Sequence, residues 1–273
     1  MVLNGMIKSL VNIMLHLVPR KPRYELCRHH VNKEFSENDS DFSTNGELWL
    51  MEQLLSSAET VFEAGSYTGE WASHALRINP NIELHCFEPY KESFDQLQQK
   101  GFGGNVKPNQ CGLGSKDGQE ILYIAEGMSE GNSLYRRRGL EDMMGCETRY
   151  ETSKVEIITL DSYCREKSIQ QIDFLKIDVE GNEFAVIEGG RDIFTREAVR
   201  VTLFEYGGTY IDSRILLRDF YDFFAEMNYS FFLLYPKSVR PVPRYDQRLE
   251  NFQYKNFLIV NNDETLKKPF YLA

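Results

Sequence analysis

The sequence has little of three features that would point to particular classes of protein: excess positive charge, paired cysteines and long apolar runs. Its 273 residues carry 31 lysines and arginines against 41 aspartates and glutamates, a formal net charge of -10. Binding to phosphate requires clustered Lys and Arg, so this balance argues against a nucleic-acid partner and against broad contact with an anionic membrane.

The five cysteines are scattered, odd in number and without any C-x-x-C pair: Cys27, Cys86, Cys111, Cys146 and Cys164. This pattern predicts neither a disulfide framework nor a zinc site. It favours a reducing compartment, and we predict a cytoplasmic protein.

The most apolar stretch, residues 6–18, is interrupted by Lys8, Asn12 and His16 and is followed by Pro19-Arg-Lys-Pro22. It offers no small-residue cleavage site, so we predict neither a signal peptide nor a membrane span. Its apolar residues recur at helical spacing. We favour a helix that docks on the protein body over one that lies on a membrane surface or a partner.

Beyond this stretch, short apolar runs alternate with helical patterns. After a polar linker at 29–45 we predict helices at 46–56, 70–77, 91–100, 182–194 and 211–227, and strands at 60–63, 83–88, 105–111, 173–178, 201–206, 229–235 and 256–260. Strands that are apolar throughout are typical of a parallel sheet covered on both faces. The alternation predicts an α/β fold with a doubly wound sheet.

Two further strand-like runs, at 119–124 and 154–160, flank a polar stretch rich in Gly and Arg. A connection of this length inside a compact domain is more often functional or disordered than incidental. We therefore predict an N-terminal helical extension and linker at 1–45 and a main domain at 46–273, with a lid-like insertion at about 119–160.

Two predicted strands end in acidic residues. Val61-Phe-Glu-Ala-Gly-Ser-Tyr-Thr-Gly69 carries Glu63 into a turn, and Asp173-Phe-Leu-Lys-Ile-Asp-Val-Glu-Gly-Asn-Glu183 ends in three carboxylates. Crowded carboxylates repel one another and lose solvation unless a cation, a ligand or a helix start compensates them. We predict a ligand site at the sheet edge where these strand ends meet.

Gly65 and Gly69 allow a tight turn and close approach of a ligand to the backbone. Glu88 follows at the end of the next strand, at a spacing that suits an acid accepting ribose hydroxyls. The alternative is a plain strand-to-helix turn with a solvated Glu88. The pattern favours a nucleoside site.

Glu63 bears on which nucleoside binds. An anionic side chain beside Gly65 would oppose the diphosphate of a dinucleotide, and Tyr67 occupies the place of the second glycine of G-x-G-x-x-G. We therefore favour S-adenosylmethionine, whose sulfonium and ammonium are cationic. A nicotinamide-dependent oxidoreductase stays open as the alternative, as does a non-catalytic binding or scaffold protein on the same fold.

Strand alternation places Lys176, Asp178 and Glu180 on one face of their strand. Asp178 is the acid that we expect to face a ligand, and Glu205, at the end of the next strand, could join it around a substrate or a divalent cation. Glu183 stands where a helix begins, and we expect it to accept from free amides there.

Several motifs, in this order and spacing from about residue 45 to 260, resemble the FkbM family of S-adenosylmethionine-dependent methyltransferases. They are Asn45-Gly-Glu47, Phe62-Glu-Ala-Gly-Ser-Tyr-Thr-Gly69, His85-Cys-Phe-Glu-Pro89, Asn132-Ser-Leu134, Thr159-Leu-Asp161 and Leu175-Lys-Ile-Asp-Val-Glu-Gly-Asn-Glu183. The resemblance implies a Rossmann-like seven-stranded sheet with an antiparallel last strand. It also implies O-methylation of a hydroxyl on a sugar, a glycan or a polyketide-like molecule.

The resemblance further implies a cofactor site made of Glu63, Ala64, Gly65, Ser66, Tyr67, Gly69, Glu88, Pro89, Cys111, Gly112 and Asp178, with Cys111 and Gly112 near the adenine. The chain departs from the family in Glu63 and Ser66, where Asp and Ala are common, and in its N-terminal extension. The extension leaves homo-oligomeric assembly open.

Methyl transfer to oxygen requires an in-line acceptor and a base for the hydroxyl proton. The candidate bases are Asp178, Glu180 and Glu205, with a cation bridging Asp178 and Glu205 as a variant. His74 and His85 are expected to be structural and far from the acceptor. Arg136, Arg137 and Arg138 form either a clamp for an anionic group of the acceptor or, with equal weight, a solvated basic loop.

Overall fold

The structure is a computed structural model, and it describes residues 19–127, 131–138 and 149–262. The helices are α1 (Arg20–Phe35), α2 (Glu47–Leu54), α3 (Glu70–Ile78), α4 (Lys91–Gln99), α5 (Leu160–Lys167), α6 (Glu183–Glu188), α7 (Arg191–Thr195), α8 (Thr209–Ser213) and α9 (Leu217–Phe223). The strands are β1 (Thr60–Ala64), β2 (Glu83–Phe87), β3 (Val106–Asn109), β4 (Gly112–Leu113), β5 (Gly118–Ala125), β6 (Tyr150–Ile158), β7 (Ile172–Ile177), β8 (Val199–Tyr206), β9 (Tyr229–Tyr235), β10 (Ser238–Pro241) and β11 (Lys255–Asn261).

The central sheet has the strand order β10-β9-β11-β8-β7-β1-β2-β3. Strands β3, β2, β1, β7 and β8 pair in parallel, whereas β11 runs antiparallel to both of its neighbours, β8 and β9. The prediction of a doubly wound sheet with a reversed last strand is confirmed. Strand β10 extends the sheet beyond the seven predicted strands by pairing with the edge of β9.

Successive residues of the central strands point into opposite halves of the core. Val61 and Phe174 pack in the half that contains α2, α3 and α4, while Phe62 and Leu175 pack in the half that contains α5 to α9. Because both faces are covered, the strands need apolar side chains at every position. This burial explains their continuous apolar runs and leaves the strand ends as the place for polar groups.

A second sheet, in the order β4-β6-β5, stands beside the central one. Strands β5 and β6 form the antiparallel pair expected near 119–124 and 154–160, and Ser133 forms a bridge with Tyr123 of β5. Residues 128–130 and 139–148 lie outside the described residues, so the lid-like insertion and the domain boundaries stay predictions.

The helix predicted at 182–194 is wrong as a single helix. It breaks between α6 and α7 at Gly189 and Gly190. A Cβ at Gly189 would lie 2.0 Å from the carbonyl oxygen of Gly114, so the close packing of two backbones requires a glycine there.

The helix predicted at 211–227 is also broken, into α8 and α9, because Arg214 adopts a left-handed conformation with φ 62°. The linker predicted at 29–45 is wrong at its start, since α1 continues to Phe35. Residues 23–35 contain no Gly or Pro to stop a helix, and the left-handed Ser36 ends it. The helix expected within 6–18 lies outside the described residues.

Among the described helices, none is both long enough and apolar enough to cross a bilayer.

Asp173 anchors the beginning of β1 to the beginning of β7. Its Oδ2 accepts from the amides of Glu59 and Thr60 at 2.8 and 3.0 Å. Burial opposes ionisation of Asp173, but these hydrogen bonds outweigh it and lower the pKa of the carboxyl. The stabilisation is therefore present above the pKa of the unfolded state and is lost as the pH falls through the folded value.

We expect Asp173→Asn to lower the free energy of unfolding by about 1–3 kcal/mol, because two backbone amides lose a charged acceptor. Urea titration at pH 7 measures the change. Asp192→Asn, at a side chain that is 75% exposed, serves as the control and should leave the midpoint unchanged. Equal midpoints for the two variants would contradict the anchoring role.

Candidate active site

A cavity of about 600 Å³ opens at the carboxyl ends of β1, β2, β7 and β8. The predicted site residues that line it are Glu63, Gly65, Ser66, Tyr67, Glu88, Pro89, Gly112, Arg137, Asp178, Glu180 and Glu205. Ala64, Gly69, Cys111, Arg136 and Arg138 are not among the lining residues. The sheet edge therefore gathers most of the predicted residues, while the individual roles stay predictions.

The turn after β1 brings the backbone very close to the end of β7. A Cβ at Gly65, where φ is +83°, would lie 1.7 Å from the carbonyl oxygen of Asp178. Gly69 begins α3 with φ +81°, and a Cβ there would lie 2.6 Å from Leu97. Gly65 thus shapes the cavity, and Gly69 lets α3 pack against α4.

Glu88 presents a fixed carboxylate at the end of β2. The amides of Tyr67 and Tyr90 donate to its two oxygens at 2.9 and 2.8 Å. Burial raises the pKa of Glu88 to about 7, against the effect of these amides. Each oxygen keeps a second lone pair for a ligand donor, which suits the predicted contact with ribose hydroxyls.

Lys176 places a buried ammonium among the carboxylates. Its Nζ lies 2.8 Å from Oδ2 of Asp178, and only 9% of its side chain is exposed. Burial opposes this charge, but Asp178, Glu47 and Glu63 outweigh it and raise the pKa of Lys176. Burial also opposes the charge of Glu63 and raises its pKa to about 7, although the charge of Lys176 lowers it. Near neutral pH Glu63 is thus only partly charged, which weakens its predicted repulsion of a diphosphate.

Glu183 and Glu180 have different hydrogen-bond partners at the turn after β7. The carboxylate of Glu183 is buried and accepts from the amides of Val179 and Gly181, as expected at a helix start. Glu180 lines the cavity and accepts from Arg137 Nη1 at 2.8 Å. Burial and then Asp178 raise the pKa of Glu180, whereas Arg137 lowers it.

Glu205 differs from these acids because its side chain forms no hydrogen bond or ion pair with any described residue. It lies near the end of β8, opposite Asn256 of β11, and lines the cavity. Burial raises the pKa of Glu205 well above its usual value, and Asp178 and Glu180 add to the effect. Such a carboxylate is suited to take a proton or to accept a hydrogen bond from a ligand.

Two further polar atoms of the cavity lining are buried without a partner among the described residues, the indole Nε1 of Trp71 and Oδ1 of Asn132. Buried polar groups are normally hydrogen-bonded. One donor and one acceptor are thus left for a bound molecule.

His74 lines the cavity, with its ring 4.9 Å from that of Phe42, and its expected distance from the acceptor stays a prediction. His85 does face away, with Nδ1 2.8 Å from the hydroxyl of Tyr163. Within the described part of the chain, no group of three or more His, Cys, Asp or Glu side chains could hold a metal ion. The bridging cation predicted at Asp178 and Glu205 gains no third ligand of these types there.

Sequence reasoning missed several lining residues, among them Phe42, Glu47, Trp71 and Tyr254. Glu47 and Lys176 stood in recognised motifs, and the strand alternation that pairs Lys176 with Asp178 could have placed Lys176 in the site. Phe42 and Tyr254 carry no local signal, because they reach the same cavity from positions more than 200 residues apart in sequence.

The strand order, with its reversed strand between β8 and β9, and the cavity over β1 and β2 define a Rossmann-like fold of the class I methyltransferase type. The family model described as "Methyltransferase FkbM domain" matches residues 63–231, more than half of the chain. The chain belongs to the FkbM family of S-adenosylmethionine-dependent methyltransferases.

Curated relatives agree with this assignment. A stretch of 160 residues, 55% of this chain, is 22% identical to "2-O-methyltransferase NoeI" of Sinorhizobium fredii, and 163 residues, 50% of the chain, are 29% identical to "Methyltransferase sdnD" of Sordaria araneosa. The matches span 66% and 61% of those proteins, so the chain covers less than two thirds of their length.

Solved structures that align with this chain include an rRNA methylase from Streptococcus thermophilus, with 8% sequence identity and a TM-score of 0.42. The alignment covers 80% of this chain and 95% of that protein.

The residues present fit S-adenosylmethionine. Glu88 offers a carboxylate for ribose hydroxyls, and the unpartnered indole N–H of Trp71 offers a donor to an anionic or carbonyl oxygen. The carboxylates around Lys176 suit a cationic ligand.

We expect Glu88→Gln to weaken S-adenosylmethionine binding about tenfold or more, since one fixed acceptor becomes a donor. Calorimetry of the purified chain measures the dissociation constant. Glu92→Gln, an exposed neighbour on α4, is the matched control. Binding as tight as that of the wild type would remove Glu88 from the cofactor site.

Proposed function

We propose that this chain methylates a hydroxyl oxygen of an uncharged small molecule or glycan, with Glu205 as the base. Of the candidate bases, Asp178 is held by Lys176 and Glu180 by Arg137, whereas Glu205 has no partner among the described residues. This contrast carries the proposal. Bound S-adenosylmethionine supplies an electrophilic methyl group.

In the proposed reaction Glu205 takes the proton of the acceptor hydroxyl while the oxygen–carbon bond forms. Bound S-adenosylmethionine would supply the methyl carbon, with its sulfur–carbon bond broken and S-adenosylhomocysteine as the leaving group. Lys176 holds Asp178 in place and offsets the charge that gathers at the strand ends. The cavity walls orient the acceptor, which is how most of the barrier to such a displacement is lowered.

The charge of the cavity favours an uncharged acceptor. Its lining includes Glu47, Glu63, Glu70, Glu88, Asp178, Glu180 and Glu205, with Lys176 and Arg137 as the Lys and Arg side chains. Of the three arginines predicted as a clamp for an anionic group, Arg137 is the one that lines the cavity, and it already pairs with Glu180. Arg136 stacks over Tyr150, 5.6 Å from the ring centroid. Because the acidic side chains outnumber Lys176 and Arg137, an anionic acceptor would meet net repulsion here.

The relative from Sinorhizobium fredii is named a 2-O-methyltransferase, which supports a hydroxyl acceptor. For this chain the acceptor, a cytoplasmic location and oligomeric assembly remain part of the proposal.

Calorimetry with S-adenosylmethionine and with NADH tests the cofactor. We expect micromolar binding of the former and none of the latter. Transfer of label from methyl-labelled S-adenosylmethionine into a fractionated cell extract then tests the reaction. Tight NADH binding would favour the oxidoreductase, and cofactor binding without transfer to any acceptor would favour a scaffold.

We expect Glu205→Gln to lower kcat at least 100-fold with an unchanged dissociation constant for S-adenosylmethionine, because a general base contributes about this much. The pKa of Glu205 is raised, so the wild-type rate should rise with pH as the carboxyl ionises, and the variant should lose this limb. The control is Glu226→Gln, an exposed glutamate after α9. A variant that retains both rate and pH profile would exclude Glu205 as the base.

A further inference from the structure

Two segments from opposite ends of the chain meet at the cavity. One is the strap, defined as residues 36–46 between α1 and α2; the other is residues 251–256, which lead into β11. Both lie outside residues 63–231, the part that matches the FkbM family.

A buried ion pair fixes the two segments to each other. Lys255 Nζ lies 2.6 Å from Oε1 of Glu37, with side chains only 2% and 5% exposed. Asn251 also donates to Oε1 of Glu37, at 2.8 Å, and the amide of Asn38 donates to the carbonyl oxygen of Tyr254 at 2.7 Å. Removing one member of such a pair leaves a buried charge without compensation.

The strap is also braced internally. Thr44 donates to Asp39, Ser43 donates to Asp41, and the amide of Asn45 donates to the carbonyl oxygen of Asp41. At its end a Cβ on Gly46 would lie 2.3 Å from the carbonyl oxygen of Tyr235, which packs the strap against the sheet. Side chains on the strap are therefore held in place rather than carried on a free loop.

The strap and residues 251–256 together contribute Ser40, Phe42 and Tyr254 to the cavity lining, which also includes Glu47 at the start of α2. The hydroxyl of Tyr254 accepts from Asn45 Nδ2 at 3.4 Å, so its own proton is left to donate. Phe42 offers an aromatic face beside His74.

Among these lining residues, Tyr254 lies on the side of the proposed base, Glu205. In the pairing of β11 with β8, Asn256 stands opposite Glu205, and Tyr254 is two residues before Asn256. Glu88 follows β2, three strands from β8 in the order β8-β7-β1-β2, or about 14 Å at the usual strand spacing. Tyr254 is thus on the side of Glu205 and away from the ribose end, while Phe42 lines the same cavity beside His74 of α3.

Resting on the proposed function, we propose that Phe42 and Tyr254 are specificity-determining contacts for a sugar-like acceptor. The ring of Phe42 packs on the C–H face of the acceptor, and Tyr254 donates to one of its ring or hydroxyl oxygens. Glu37 and Lys255 are positioning residues that act through the strap.

The test uses a panel of neutral methyl glycosides that differ in the configuration of single hydroxyls, with labelled S-adenosylmethionine as donor. Phe42→Ala and Tyr254→Phe should raise KM for the best glycoside at least tenfold and reduce discrimination within the panel. Both should bind S-adenosylmethionine within about twofold of the wild type. Phe35→Ala is the matched control, because this aromatic residue precedes the strap, is 42% exposed and does not line the cavity.

Glu37→Gln should raise the same KM with little change in kcat, and should speed amide hydrogen exchange in 36–46 while 60–69 stays protected. Glu37→Asp should restore part of the loss. Asp95→Asn, which removes the exposed ion pair with Lys91, controls for loss of charge.

An unchanged glycoside KM in Phe42→Ala and Tyr254→Phe would overturn the inference, as would cofactor binding that weakens as much as glycoside binding. Failure of the wild type to methylate any glycoside would instead contradict the proposed acceptor class. In that case calorimetry with S-adenosylmethionine alone tests the strap. Wild-type affinity of Phe42→Ala for the cofactor would support a lining surface separate from the cofactor site, and a tenfold loss would refute it.

Discussion

The buried ammonium of Lys176 is the interaction on which the site depends. It lies at the end of β7, pairs with Asp178 and also compensates Glu47 and Glu63, which come from α2 and β1. Without it three carboxylates would share a largely buried space with no nearby cation, and such a cluster would protonate or open. The acid-rich edge of this sheet can therefore exist only because one strand carries a lysine two residues before its aspartate.

Much of the fold could be predicted from the sequence, because the central strands are buried on both faces and read as unbroken apolar runs. The errors have local causes of another kind. Gly189 lies at a helix end where a neighbouring backbone leaves no room for a Cβ. Arg214 ends another helix in a left-handed conformation, which an arginine in the sequence does not predict. Strand β10 was hidden in a loop containing proline, consistent with its place at the sheet edge.

The site divides in the same way between local and distant information. Residues at strand ends, such as Glu63, Glu88 and Asp178, could be placed on one edge because parallel strands fix where their ends meet. Phe42 and Tyr254 could not, since their common place in the cavity lining depends on how two distant segments of the chain come together. The ion pair of Glu37 and Lys255 that joins these ends spans 218 positions, and neither residue has a neighbour in sequence that points to the other.

The crowding of carboxylates at the end of β7 also accounts for the chemistry proposed for Glu205. Its ionised form is made costly by burial and by Asp178, Glu180, Glu183 and Glu47. An acid that is hard to ionise holds its proton more strongly, so its carboxylate is the stronger base. Lys176 and Arg137 pair with Asp178 and Glu180, and leave Glu205 outside their bonds. The arrangement of these two cations thus supports the proposal of Glu205 as the base, because its carboxylate oxygens are not held in an ion pair with any described residue.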